Sequence, residues 1–360
     1  MPSDADDAHL LRALALARKG WGDTHPNPMV GALIVEDGRV VAEGFHAKAG
    51  APHAEVMALK ALGRRPLASA TLYVTLEPCS THGRTPPCVQ AILDAGLRRL
   101  VVGTVDPNPL HAGKGIELLR SAGVDVTLAF GPMELACREL NFLFNHWMVQ
   151  RRTLVAMKVA RDATGRTVPI PGQRFITGEL ARADMMQWRR LFPVIAVGAG
   201  TALADNPQLT ARLPGATFAP VRLLLDRSGR TAGQTHLQLF SDSYRLQTVV
   251  ALDVRLTSPE QRAWFKGQGL KTLEISSGEF LNQVFQQTTE FGWLGVFVEP
   301  GPLLGDALIA ARLIDRAWIY TAPSGKADST SRPWLKNLSI VNGAVVVNLG
   351  EDTLISGSWK

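Results

Sequence analysis

The chain has 360 residues, 46% of them hydrophobic, with a formal net charge of +6 at pH 7 and an isoelectric point near 9.4. This length exceeds one ordinary hydrophobic core, so two domains are expected, and no apolar stretch approaches the roughly 20 residues of a membrane span. The positive residues are dispersed in runs of at most two, without the interleaved aromatic residues that stack on bases. That distribution disfavours nucleic-acid binding and suits phosphate-bearing small molecules.

The cysteines and the first residues bear on the cellular compartment. Three cysteines suggest no disulfide framework, so a reducing cytoplasm is expected. Residues 1–7 are acidic and polar, unlike a signal peptide, so the mature chain is expected to begin at Met1.

The first 145 residues alternate predicted helices with short predicted strands. Helical spacing of leucine and alanine predicts a helix at residues 10–17, which stops at Gly20. The apolar segment 133–144 also looks helical, with Cys137 expected in the core. Further helices are predicted for residues 54–62 and from Pro86 to Gly96, and strands for residues 31–35, 40–45, 71–76 and 100–105. This alternation predicts a three-layer α/β/α domain over residues 1–145.

A second α/β domain is predicted for residues 146–360. The polar and basic residues 145–152 are interpreted as the connection between the two domains. The strands predicted beyond it are residues 154–160, 194–197, 221–225, 248–252, 295–299 and 317–320, most with helical patterns between them. Neither internal repeats nor low-complexity tracts interrupt the pattern.

Four residues in the first half carry the strongest chemical signal. His53, Cys79 and Cys88 supply one imidazole and two thiolates, and Glu55 stands beside the imidazole. This set is what a hydrolytic zinc deaminase needs, with the glutamate moving a proton from water to the leaving amine. Three protein ligands leave the fourth position of zinc for a water, whose pKa then falls to about 7. The sequence therefore predicts one catalytic zinc per chain.

The predicted elements place these ligands at element ends, where a cleft can form. Glu55 and His53 fall in the first turn of a helix, Cys79 follows a strand, and Cys88 begins a helix whose N-terminus favours the thiolate. Any one of these residues alone would be as well explained by core packing. Their combination favours the zinc interpretation.

The same residues resemble a known family. Residues 24–28 (Thr-His-Pro-Asn-Pro), the His53-Ala54-Glu55 triplet and segment 75–88, with its wide cysteine gap filled by Gly-Arg-Thr-Pro-Pro, resemble the deaminase half of the RibD family, bifunctional deaminase/reductases of riboflavin biosynthesis. Residues 106–109 (Asp-Pro-Asn-Pro) also match. The resemblance covers about the first 145 residues and implies a cytidine-deaminase-like fold. Thr81 stands where the family usually has a histidine, and His82 follows it.

The second half resembles the reductase half of that family, a dihydrofolate-reductase-like domain that uses NADPH. The resemblance rests on residues 175–184, 197–212 and 298–302. It implies cofactor contacts at the following positions: Ala160, Phe175, Thr201, Asp205 and the loop from Gly301. It implies substrate contacts at a second set: Arg189, Leu209, Arg212 and Glu299. Arginines suit a ribose phosphate because guanidinium binds phosphate in a bidentate way.

This half departs from the family pattern at several positions. Asp162 and Thr164 stand where the family has serine and aspartate, Gln173 replaces a serine, and Phe175 replaces a tryptophan. Pro300 replaces a glycine and cannot donate a backbone hydrogen bond. An alternative is therefore a deaminase whose second domain is a catalytically degenerate scaffold or partner surface.

The resemblance implies a two-step reaction on one chain. A phosphoribosylamino pyrimidine is first deaminated with the help of zinc and Glu55, and NADPH then reduces the ribose of the product to a ribityl chain. A nucleic-acid base deaminase is a further alternative, which the dispersed charge and the second domain disfavour. The sequence leaves open whether the chain forms a homo-oligomer.

Overall fold

The computed structural model describes residues 3–81, 86–169, 173, 175–323 and 341–359. The chain divides into two compact units, Met1–Arg151 and Arg152–Lys360. Each unit is a mixed α/β fold, which confirms the predicted fold class. Throughout the described ranges, every helix is too short or too polar to cross a membrane.

The first unit is built on one five-stranded sheet. Its strands are β1 (Gly31–Glu36), β2 (Arg39–Phe45), β3 (Thr71–Val74), β4 (Arg99–Val102) and β5 (Asp125–Leu128). Its α-helices are α1 (Asp4–Ala17), α2 (Ala54–Leu62), α3 (Cys88–Ala95), α4 (Lys114–Ser121), α5 (Gly131–Leu140) and α6 (Phe142–Gln150). The strand order is β2-β1-β3-β4-β5, with β1 antiparallel to both neighbours and β3, β4 and β5 parallel.

Helices cover both faces of this sheet, because its central strands carry buried, mostly apolar side chains on both faces. Ile34 of β1 shares a buried cluster with Ala58 of α2 and Ile92 of α3 on one face. On the other face α1 approaches so closely that a Cβ on Gly31 would lie 2.0 Å from the carbonyl oxygen of Ala13. The predicted three-layer arrangement is therefore correct for this unit.

The second unit is built on one nine-stranded sheet and a small hairpin. Its strands are β6 (Leu154–Asp162), β7 (Val194–Gly198), β8 (Ala211–Leu213), β9 (Ala216–Phe218), β10 (Val221–Leu225), β11 (Thr248–Asp253), β12 (Lys271–Ile275), β13 (Gly295–Val298), β14 (Arg316–Ala322), β15 (Val341–Leu349) and β16 (Asp352–Trp359). Its α-helices are α7 (Glu179–Leu191), α8 (Ala199–Asp205), α9 (Gln238–Ser241), α10 (Pro259–Gly267), α11 (Phe280–Glu290) and α12 (Pro302–Ala310). The order of the large sheet is β12-β11-β10-β7-β13-β6-β14-β16-β15, and β8 pairs with β9.

The topology of the large sheet brings several strand ends together. From β12 to β14 in that order, all neighbouring strands are parallel, whereas β16 pairs antiparallel with both β14 and β15. The carboxyl ends of β7, β13 and β6 therefore lie side by side at one edge. Ligands of open α/β sheets bind at this edge.

The structure corrects several predicted boundaries. The segment 133–144 is not one helix, because α5 ends at Leu140 and α6 starts at Phe142. Asn141 between them uses its side-chain amide to pair with both backbone groups of Met29, at 2.8 Å each. The expected connection 145–152 is helical as far as Gln150, and β3 ends at Val74 instead of residue 76. Strands β5, β8, β9, β12, β15 and β16 were not predicted.

Candidate functional site

In the first unit, helix α2 carries two of the predicted site residues. His53 is its N-cap residue, with an extended backbone (φ −70°, ψ 161°), and Glu55 lies in the first turn. The helix packs tightly on β2, since a Cβ on Gly44 would lie 2.3 Å from the backbone nitrogen of Ala58. Glycine at this position therefore lets the first turns of α2 lie close to the sheet.

The two cysteines meet His53 at this helix end. Cys88 is the first residue of α3, and Cys79 lies in the loop that follows β3. His53 Nδ1 lies 3.2 Å from Cys88 Sγ and 3.5 Å from Cys79 Sγ, and the three ligand atoms are all within 4.8 Å of one another. Ligand atoms around a tetrahedral zinc are about 3.5–3.8 Å apart when Zn–N and Zn–S bonds are about 2.0–2.3 Å long. The three side chains therefore fit one zinc ion.

The electrostatics of the two thiols also suit a metal site. A hydrogen bond from Cys88 lowers the pKa of Cys79 to about 4, and the same hydrogen bond, together with burial, raises the pKa of Cys88. The backbone N–H of Cys88, at the N-terminus of α3, also donates to Cys79 Sγ at 3.3 Å. The protein thus already stabilises the thiolate of Cys79. A cation between the two sulfurs would favour deprotonation of Cys88 as well.

Glu55 is the buried acid of this site. Its side chain is 3% exposed, and burial raises its pKa to about 7. A carboxyl group with such a pKa can both accept and release a proton near neutral pH, as a general acid–base catalyst must. This property comes from the low dielectric around the first turn of α2 and is not visible in the sequence.

His46 is a neighbour that the sequence reasoning missed. Its ring lies edge-on to His53, with 5.5 Å between centroids. Its Nδ1 is 3.1 Å from the carbonyl oxygen of Pro52, which can only accept, so Nδ1 carries the proton and Nε2 accepts from the amide of Asn27 at 3.2 Å. Burial lowers the pKa of His46, which keeps it neutral in this arrangement. Asn27 belongs to the motif at residues 24–28, whereas His46 belongs to no quoted motif. Thr81 is exposed, and His82 lies outside the described residues.

In the second unit, Glu299 and Arg189 contact each other directly. Glu299 follows β13, and its Oε1 accepts from Arg189 Nε at 2.6 Å, while Lys158 Nζ of β6 lies 3.6 Å from Oε2. Burial alone would raise the pKa of Glu299, but Arg189 and Lys158 outweigh it and lower the pKa to about 2. We call these three residues the Glu299 cluster. Sequence reasoning did not single out Lys158, although a lysine inside the apolar strand predicted for residues 154–160 is itself a signal of a buried ionic contact.

The segment that follows α8 reaches the same cluster. Arg189 donates to the carbonyl oxygen of Thr210 at 3.0 Å, and the exposed Arg212 donates to Thr210 Oγ1 at 3.1 Å. Leu209, before Thr210, is buried with a positive φ of 55°. A bulky residue in this region is strained, so the surrounding contacts must hold it there. Arg189, Leu209, Arg212 and Glu299 are thus brought together.

Of the predicted cofactor residues, Gly301 and Thr201 are the two that the structure brings into contact. Gly301 is the N-cap of α12, and a Cβ on it would lie 3.4 Å from Thr201 Oγ1 of α8. Asp205 is the last residue of α8, and Ala160 lies in β6. Phe175 is half-exposed, and its ring lies 4.5 Å from the Arg182 guanidinium. Gly301 and Thr201 therefore form one surface next to Glu299.

The departures at Asp162 and Thr164 form a closed turn. Asp162 Oδ1 accepts from the hydroxyl of Thr164 at 2.6 Å and from the backbone N–H groups of Thr164 and Arg166. Its other oxygen accepts from Arg166 Nε at 3.1 Å. The exchanged residues thus satisfy each other and keep the end of β6 ordered.

Comparisons with known proteins match a family model in each half of the chain. Residues 3–104 match the family model of the cytidine and deoxycytidylate deaminase zinc-binding region, and residues 154–325 match the RibD C-terminal domain. The chain is 37% identical to the riboflavin biosynthesis protein RibD of Aquifex aeolicus over 99% of each chain, and 36% identical to that of Escherichia coli over 88% of each. Among solved structures, RibD of Acinetobacter baumannii superposes with a TM-score of 0.81 at 32% identity over 99% of each chain.

A further solved structure adds the names of two reactions. The diaminohydroxyphosphoribosylaminopyrimidine deaminase/5-amino-6-(5-phosphoribosylamino)uracil reductase of Thermotoga maritima gives a TM-score of 0.80 at 31% identity over 99% of each chain. Fold and site thus define an enzyme that joins a zinc-binding deaminase domain to a reductase domain. The chain belongs to the RibD family of riboflavin biosynthesis proteins.

Proposed function

We propose that this chain catalyses two successive steps. Residues 1–145 hydrolytically deaminate diaminohydroxyphosphoribosylaminopyrimidine, and residues 146–360 reduce the resulting 5-amino-6-(5-phosphoribosylamino)uracil with NADPH to the ribitylamino product. The observation that carries the proposal is the convergence of His53, Cys79 and Cys88 beside a buried Glu55. The proposal is supported by the similarity to the Thermotoga maritima protein over 99% of each chain, since the name of that protein gives these two activities.

In the deaminase domain, His53, Cys79 and Cys88 would hold one zinc ion. When bound, zinc supplies a Lewis acid that lowers the pKa of a water to about 7. Glu55 takes a proton from the attacking water and gives it to the departing amine, so that ammonia leaves as oxygen replaces nitrogen on the ring. Its pKa of about 7 suits both transfers. His46 and Asn27 offer a neutral, ordered wall beside His53.

In the reductase domain, the cofactor would lie along Thr201, Asp205 and Gly301, with Ala160 and Phe175 as further contacts. When bound, NADPH would supply a hydride for the sugar carbon attached to nitrogen, and the ring oxygen that leaves this carbon would take up a proton as the ribose ring opens. Helix α12 begins at Pro302, so its first free N–H groups are those of Leu303 and Leu304. Such a helix start can accept a phosphate group even though Pro300 has no N–H.

The substrate of this domain would lie against Arg189, Leu209, Arg212 and Glu299. Arg189 and Glu299 largely neutralise each other, so their role is to form a rigid polar wall. Arg212 is exposed and therefore better suited to the phosphate. The net charge of the Glu299 cluster also suits a phosphorylated substrate, since the cluster holds two cations and one carboxylate.

The metal and Glu55 are tested together. Freshly purified protein is expected to contain one zinc per chain by elemental analysis. Glu55→Gln should keep that zinc and lose about 10²–10⁴-fold in ammonia release, since the amide cannot carry the proton. Loss of zinc in this variant, or near-normal turnover, would mean that Glu55 has a structural role. Deamination by zinc-free protein would contradict the metal assignment.

The reductase is tested against the scaffold alternative. Calorimetry is expected to detect NADPH binding, and supplied 5-amino-6-(5-phosphoribosylamino)uracil should be consumed as NADPH is oxidised. The unusual residues Asp162 and Thr164 are compatible with this outcome, because both carboxylate oxygens of Asp162 have hydrogen-bond partners within their own turn. Absence of NADPH binding together with accumulation of the intermediate would establish the scaffold alternative.

A further inference from the structure

Glu77 is a buried carboxylate two residues before Cys79, and its side chain accepts hydrogen bonds from backbone N–H groups. Its side chain is 5% exposed. Its Oε2 accepts from the N–H groups of Asp106 at 3.0 Å and Gly113 at 2.9 Å. Its Oε1 accepts from Gly115 at 2.8 Å and Ile116 at 3.3 Å. One side chain therefore satisfies four backbone donors of one segment.

The backbone around Glu77 is joined to the same segment. The N–H of Glu77 donates to the carbonyl oxygen of Thr104 at 2.9 Å. A Cβ on Gly115 would lie only 2.2 Å from the carbonyl oxygen of Pro78, so glycine is needed for this close approach. Cys79 follows Pro78 directly. The segment 104–116 is thus fastened to the two residues that precede a metal-ligating cysteine.

We propose that Glu77 is a positioning residue of the deaminase site, which holds the segment 104–116 in place beside Cys79. This inference rests on the proposed deaminase activity. The metal would hold Cys79 itself, whereas the position of the neighbouring segment depends on the four hydrogen bonds to Glu77. The position of this segment next to Pro78 and Cys79 is therefore fixed by a residue that touches neither the metal nor the reacting atoms.

The chemistry requires a carboxylate and not merely a polar group of the same shape. Each carboxylate oxygen accepts two N–H groups, and a carboxylate has no donor of its own. In Glu77→Gln, one oxygen becomes an NH₂ group that faces two N–H donors. Rotating the amide only exchanges which pair loses its acceptor. Buried donors without an acceptor are costly, so the segment is expected to shift.

The test compares Glu77→Gln with a matched control in the same unit. The control is Glu36→Gln, since Glu36 is also buried (4%) and accepts from Arg64 and from the N–H of Leu67, outside the metal site. Both variants are purified with zinc and assayed for ammonia release. Their NADPH oxidation with supplied deaminated intermediate shows whether the rest of the chain is folded.

Glu77→Gln is expected to keep one zinc per chain and normal NADPH oxidation, while kcat/KM for ammonia release falls about tenfold or more. The rise in KM should exceed the fall in kcat, because Glu55 and the three ligands keep their places. Gly115→Ala should change KM in the same direction, and Glu36→Gln should leave both constants near the wild-type values. The inference would be overturned by unchanged deamination in Glu77→Gln, by an equal loss in Glu36→Gln, or by loss of zinc with the activity. Wild-type protein that releases no ammonia would overturn the proposed function as well.

Discussion

Replacing Glu299 by glutamine is expected to destabilise the second unit by about 3 kcal/mol at pH 7. Glutamine has nearly the shape of the protonated acid but carries no charge. In the variant, Arg189 and Lys158 would remain as buried cations without their carboxylate. Removing one partner of a buried ion pair leaves an uncompensated charge of this kind, which typically costs about 3–5 kcal/mol.

The magnitude follows from the pKa of Glu299. Arg189 and Lys158 overcome the opposing effect of burial and lower this pKa from 4.5 to about 2. A difference of about 2.5 pKa units corresponds to about 3 kcal/mol between the charged and the neutral form. The side chain is 13% exposed, so little of this energy is lost to solvent screening.

The pH dependence has a definite sign. Because the folded pKa lies below the unfolded value, the native state binds fewer protons, and the contribution of Glu299 is complete above pH 4.5. It is lost as the pH falls through about 2. The difference between wild type and Glu299→Gln should therefore shrink from about 3 kcal/mol at pH 7 to about 2 kcal/mol at pH 3.5.

Hydrogen–deuterium exchange in a urea series measures the free energy of unfolding of this unit through peptides from β6 and β13. Glu290→Gln serves as the control, since Glu290 is exposed at the end of α11 and its replacement should change stability by less than about 0.5 kcal/mol. Equal stability of wild type and Glu299→Gln at pH 7, or a difference that grows as the pH falls, would refute the reasoning.

Three further predictions concern other residues. Arg212→Ala should raise the KM for the phosphorylated intermediate while calorimetric NADPH affinity holds; a weakened NADPH affinity with unchanged KM would contradict its assignment. Burial raises the pKa of Cys137 to about 12, so iodoacetamide at pH 8 should label it only after unfolding, as mass spectrometry can check. Gly44→Ala should destabilise the first unit by about 1–3 kcal/mol in urea unfolding, since its Cβ would meet Ala58 at 2.3 Å; an unchanged midpoint would show that α2 can move freely.

The sequence predicted the core elements of both units because their periodicity is strong. Helix α2 and helix α3 begin close to the predicted positions, and Gly96 ends α3 in a left-handed conformation. Strands β15 and β16 were missed, since three consecutive exposed valines in β15 and the small and polar residues Ser356, Gly357 and Ser358 in β16 break the alternation of apolar and polar residues. The break at Asn141 was missed because its cause is a contact with Met29, 112 residues away.

The candidate metal site could be predicted because all its ligands lie in two short motifs. The roles of His46 and Glu77 could not, since each depends on partners that only the fold brings near. Glu77 stands between a strand and a cysteine in the sequence, but the hydrogen-bond partners of its side chain begin 29 residues later. Lys158 acquires its meaning from Glu299, which is adjacent only because β6 pairs with β13.

Both reactions are expected to occur on this chain, one after the other. The most direct test supplies zinc-loaded protein with diaminohydroxyphosphoribosylaminopyrimidine and NADPH and follows ammonia and NADPH together. Wild type is expected to release one ammonia and oxidise one NADPH for each substrate consumed. Glu55→Gln should do neither at an appreciable rate, yet oxidise NADPH when given the deaminated intermediate. Ammonia release without NADPH oxidation, or NADPH oxidation by Glu55→Gln from the first substrate at the wild-type rate, would contradict the account.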